Sequence, residues 1–71
     1  MSVATLSSLE EILSQLCRKH LGGNQLSVAP VCTRVMLRTG VNIRSPKPGQ
    51  ERDRAVIVKV LDTLAEMGYP I

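Results

Sequence analysis

The chain holds 71 residues, 44% of them apolar, and carries a net charge of +3 from nine Lys/Arg and six Asp/Glu. That length leaves space for one domain and too little for a walled pocket of roughly 300–1,000 Å³, so neither enzyme chemistry nor a cofactor is expected. Phe and Trp are absent and Tyr69 is the sole aromatic: the core must be aliphatic, and the near absence of rings argues against holding single strands by base stacking. No apolar run approaches the ~20 residues that span a bilayer. The N-terminus lacks a basic start ahead of an apolar block. An intracellular protein, cytoplasmic or nuclear and without membrane contact, is expected.

Residues 1–6 read as a frayed start. Ser8 followed by Glu11 is a capping box, with Ser7 and Glu10 as the alternative pair. Leu9, Ile12, Leu13, Leu16 and Cys17 then recur at helical spacing. Arg18, Lys19 and His20 suit the negative end of a helix dipole. Gly22 and Gly23 stop the first helix, expected over about 8–21. Asn24 to Leu26 form a short connection.

Ser27 is the expected N-cap of a second helix over about 27–38, with Pro30 tolerated in its first turn. Val28, Val31, Cys32, Val35 and Met36 make its apolar stripe, and Gly40 is its stop. Val41 and Ile43 alternate with Asn42 and Arg44, which predicts a very short strand near 41–43. Ser45-Pro46-Lys47-Pro48-Gly49 is a stiff loop. A third helix is expected over about 50–67, burying Val56, Ile57, Val60, Leu61, Leu64 and Met67, with Gly68 ending it. The fold class is all-α or mainly α, a three-helix core in a single domain spanning 1–71.

The cations are unevenly placed. Arg34, Arg38, Arg44, Lys47, Arg52, Arg54 and Lys59 fall in one stretch that holds only the acids Glu51 and Asp53, a local surplus of five positive charges. A basic segment on an otherwise acidic chain is how a small domain presents a cationic face to a polyanion. Double-stranded DNA is therefore the expected partner. Arg52 and Arg54, with Gln50, are the candidate base readers on the third helix, with Lys59 beside them. The amides at that helix's N-terminus are expected to meet a phosphate. Arg44 and Lys47 are expected to straddle the adjacent backbone, and Arg34 and Arg38 to bind phosphates along the groove edge. The plain alternative is a solvated charged surface, favoured by the acids beside Arg52 and by Asp62 three residues after Lys59.

Val60-Leu61-Asp62-Thr63-Leu64-Ala65-Glu66-Met67-Gly68-Tyr69-Pro70-Ile71 resembles the end of the recognition helix in winged-helix and helix-turn-helix DNA-binding families. In those families a glycine and an apolar residue lead into the wing, and a first helix supports the other two, as Leu9 to Leu21 would here. The resemblance implies a tri-helical core and a role in transcription or replication. The chain departs from the pattern between Leu37 and Gln50, where the gap is about three times the usual three- or four-residue turn.

A second reading is a protein-interaction domain of a larger complex, or a homodimer. Leu37 and Val58 fall near the polar faces of their helices and, with Tyr69 in the Gly68–Ile71 segment, are the candidate partner contacts. Cys17, His20 and Cys32 invite a zinc reading, but a structural site takes four ligands and no second pair is present. Buried free thiols are expected instead, with no metal.

Overall fold

The computed structural model describes residues 8–71. The frayed start expected over 1–6, and the alternative Ser7 cap, lie outside them. The described residues form three α-helices, α1 (Leu9–His20), α2 (Val28–Thr39) and α3 (Arg54–Glu66), with a 3₁₀ turn, Gln25–Ser27, running directly into α2. α2 packs against α3. The all-α three-helix core is as the periodicity requires.

α1 forms where expected because both its faces and its ends are satisfied. Leu9, Ile12 and Leu16 are fully buried, with Leu13 and Cys17 packed beside them. Ser8 is the N-cap, its Oγ accepting from the Glu11 amide at 3.2 Å. The first two helical amides find a partner far away in sequence. Leu9 N–H donates to the Glu51 carbonyl at 2.9 Å, and Glu10 N–H to Glu51 Oε1 at 3.3 Å. A helix start leaves such donors without intrahelical acceptors, and here one residue of the α2–α3 connection fills two of them.

Ser27 does not cap α2: it sits in right-handed helical conformation and makes no side-chain cap bond. Asn24 takes that role one turn earlier, its Oδ1 accepting from the Leu26 amide at 2.9 Å and starting the 3₁₀ turn. Val28, Val31, Cys32 and Val35 of α2 are buried, whereas Met36, expected on the same stripe, is 41% exposed. α2 ends at Gly40, which holds φ +77°, a left-handed conformation that costs glycine little.

No strand forms among the described residues. Val41 and Ile43 do alternate in burial with exposed Asn42 and Arg44. They act as two plugs in the core rather than as half of a ladder. Asn42 bends the chain immediately afterwards, its Oδ1 accepting from Arg44 N–H at 3.1 Å and its carbonyl from Ser45 N–H at 3.2 Å.

The third helix begins at Arg54, not at Gln50. Residues 50–52 make turns instead, closed by Gln50 N–H to the Lys47 carbonyl (3.0 Å) and Asp53 N–H to the Gln50 carbonyl (3.2 Å). The physical reason is Asp53. Its backbone is extended and its carboxylate accepts from the amides of Ala55 (2.9 Å) and Val56 (3.4 Å), a geometry that defines a helix start. Ile57, Val60, Thr63 and Leu64 face the core. Thr63 is tolerated there because its hydroxyl donates to the Lys59 carbonyl at 2.9 Å. α3 closes in a Schellman motif: Tyr69 N–H reaches the Leu64 carbonyl at 2.8 Å and Gly68 N–H the Ala65 carbonyl at 3.1 Å. The segment that follows is held against α1. The Tyr69 ring meets the His20 ring edge-on at 5.6 Å, and His20 Nε2 lies 2.6 Å from the Pro70 carbonyl.

Candidate functional site

All seven cations of the central stretch are exposed, but they stand on three different supports. Arg34 and Arg38 lie on α2, four residues and therefore about 40° apart on its surface. Arg44, Lys47 and Arg52 lie on the connection between α2 and α3, which is residues 40–53. Arg54 and Lys59 lie on α3, five residues and therefore about 140° apart around its axis.

α2 itself separates two of these groups. Arg34 edges a groove of about 310 Å³ with Leu21, Pro30, Val31 and Tyr69. Arg44 edges a groove of about 380 Å³ with Ala29, Cys32, Thr33 and Met36. Ala29, Thr33 and Met36 are on the opposite flank of α2 from Arg34 and Arg38. Arg44 also lines a third cleft, of about 560 Å³, where it is joined by Arg18 and Glu10 of α1. The seven cations are thus not gathered on one side.

Three expected roles change with the backbone. Arg52 is not on a helix; it lies in the turn before α3. Gln50 is half-buried and its Oε1 accepts from Lys47 N–H at 3.0 Å, so that oxygen is spent on the loop. Two of the α3 amides expected to meet a phosphate, those of Ala55 and Val56, are taken by the Asp53 carboxylate. The two acids that dilute the basic stretch therefore both serve helix N-termini: Asp53 at α3 and Glu51 at α1. The connection thus carries carboxylates as well as cations, and the Glu51 carboxylate reaches the Glu10 amide at the start of α1.

α3 divides its exposed charge along its length. Arg54 and Lys59 occupy its first half, Asp62 and Glu66 its second. α2 has no acid at all, and Arg34 and Arg38 are its only charges.

The exposed apolar residues are as informative as the cations. Leu26 is 86% exposed, Leu37 80% and Val58 48%. The helical period puts Leu37 and Val58 near the polar faces of their helices, where either exposure or burial against a bent loop is open, and both are exposed. Leu26 carries no such signal, because a residue in a short connection has no period to betray it. Val58 lies with Leu61, Ala65, Pro70 and Ile71 around a groove of about 280 Å³. Tyr69, the third candidate contact, is half-buried against the core and His20.

Cys17 and Cys32 are free thiols. Burial pushes the Cys32 thiol up, against a smaller opposing pull from the Arg44 guanidinium. Among the described residues no three His, Cys, Asp or Glu side chains come together as a metal site would need. No helix among them is long and apolar enough to cross a membrane. No family model matches the chain, and neither a curated protein nor a solved structure does.

Proposed function

We propose that the domain is a protein-docking module that presents the outer face of α2. The observation that carries this reading is the exposure of Leu37, 80%, and of Leu26, 86%. Isolated exposed leucines are ordinary on a protein surface. These two bracket one helix, and Met36 on that helix is 41% exposed as well. A small domain gains nothing in stability from leucines held in water, whereas a partner that covers them removes apolar area at roughly 25 cal/mol per Å². Size-exclusion chromatography and pull-down of wild type against Leu37→Ser is the test. Association that survives the substitution unchanged, or a wild type that captures nothing and stays monomeric, rejects the reading.

Binding of duplex DNA is a second reading, favoured by one observation. The connection and the first half of α3 carry Arg44, Lys47, Arg52, Arg54 and Lys59, all exposed. The first half of a recognition helix is the part that enters a major groove, and a winged-helix resemblance agrees with a three-helix core. In this reading the cations bind phosphates and set position rather than sequence. Fluorescence anisotropy with duplex DNA across a salt series tests it: affinity must fall steeply as salt rises. Binding indifferent to salt, or none at low salt, discards it.

A further inference from the structure

The outer face of α2 combines two properties that together describe what would cover it. Pro30, Thr33 and Leu37 are exposed and lie three and four residues apart, the spacing of one helix stripe. Leu26 precedes them by about one turn, in the 3₁₀ segment that leads into α2. Thr33 turns its hydroxyl back to the Ala29 carbonyl at 3.0 Å, which takes its polar atom out of the stripe's demands. The result is a ridge with a groove on each flank, of about 310 Å³ beside Arg34 and about 380 Å³ beside Arg44. The first groove is lined mainly by apolar side chains, Leu21, Pro30, Val31 and Tyr69; in the second, Ala29, Cys32 and Met36 share the lining with Thr33, Asn42 and Ser45. Each has an arginine at its edge and no acid.

We infer that this ridge docks an amphipathic helix whose apolar stripe is flanked by acidic residues on both sides; the inference rests on the protein-docking reading and names the partner's chemistry. Charge decides between occupants. A second copy of the chain would set one α2 face bearing Arg34 and Arg38 against another, with no acid on either helix to pair with them, and like charges across an interface cost affinity. A partner with Glu or Asp beside its leucines turns the same arginines into steering groups and rim contacts. The mode is helix against groove, with leucine-sized anchors at helical intervals entering the two grooves.

The probe is a synthetic helical peptide with leucines at i, i+4, i+7 and i+11 and glutamates flanking them. A second peptide has lysine in place of every glutamate. Binding to the 15N-labelled full chain is followed by amide shifts. The Glu peptide is expected to saturate, with shifts concentrated from Leu26 to Arg38, and to bind at least about tenfold more tightly than the Lys peptide. Leu37→Asp, an exposed site whose fold is checked by circular dichroism, is expected to weaken it at least about tenfold. Arg34→Glu with Arg38→Glu is expected to reverse the preference toward the Lys peptide. The inference is overturned if the Glu peptide shows no saturable shift, if shifts fall elsewhere, or if both peptides bind alike. Should the peptides fail while wild type dimerises in sedimentation and Leu37→Asp abolishes the dimer, the docking reading stands and the acidic partner falls. Failure of both arms removes the two together.

Discussion

α2 and α3 are nearly equal in length and pack against each other, yet their outer faces differ in kind. α3 shows solvent a mixture: Arg54 and Lys59, then Asp62 and Glu66, with Val58 and Ala65 between. Charges of both signs are ordinary on a solvated helix face. α2 shows two arginines, no acid, and a leucine that is four-fifths exposed. A face with one sign of charge and a large exposed apolar side chain is the feature on which the docking proposal rests. The contrast shows why counting cations along the chain is a weak guide. The densest run of positive charge contains two carboxylates of its own, Glu51 and Asp53, while the face with the least balanced chemistry carries only two cations.

Substitutions taken from the helix interiors outward separate the two helices. Leu64→Ala on α3 empties a fully buried position and is expected to cost about 2–5 kcal/mol in urea denaturation. A cost near zero would mean that α3 does not seat as described. Asp53→Ala removes the two cap bonds of α3 and is expected to cost about 0.5–2 kcal/mol. α2 has no such bond at Ser27, so Ser27→Ala should cost distinctly less in the same assay.

Cys32 on the inner face of α2 gives a smaller effect with a defined sign. Its thiol is raised from an ordinary value of 9.0 by burial. The folded chain therefore holds that proton more tightly than the unfolded one. Its contribution is fully present below the unfolded pKa and is lost as pH climbs past 9.0 toward the folded value. Stability of wild type relative to Cys32→Ala should accordingly decline between pH 8 and pH 10. A difference that stays flat, or grows, contradicts a buried thiol. Last, Leu37→Ser on the outer face of α2 should leave stability within about 0.5 kcal/mol. A loss comparable with Leu64→Ala would show that Leu37 is packed, and the proposed docking face would disappear.

The apolar stripes were readable because they are local. Leu9, Ile12 and Leu16, or Ile57, Val60 and Leu64, repeat at intervals that only a helix puts on one side. Gly40 and Gly68 marked helix ends for an equally local reason. The start of α3 lies later than the pattern predicts because Gln50, Glu51 and Arg52 are all good helix formers; the signal for the true start is Asp53 itself, a favoured cap residue just ahead of the Val56-Ile57 run. The very short strand failed because alternation reports two-sided burial, not a hydrogen-bonded neighbour. At the candidate site the identities of the cations were legible, but their grouping was not. Arg34 and Arg44 are separated by the body of α2, a matter of how helices pack rather than of spacing. The exposure of Leu26 and the contact between His20 and Pro70 likewise depend on long-range packing.

Glu51 has a consequence for how the molecule comes apart. Through its carbonyl and its carboxylate it closes the beginning of a helix 41 residues away from it in the case of Glu10. Fraying of the first turn of α1 therefore breaks contacts to the chain ahead of α3, and the two segments are expected to open together. Deuterium uptake at the Leu9 and Glu10 amides then becomes a clock for that remote opening, and Glu51→Ala should speed it at Glu10 more than at Leu9, whose acceptor is backbone.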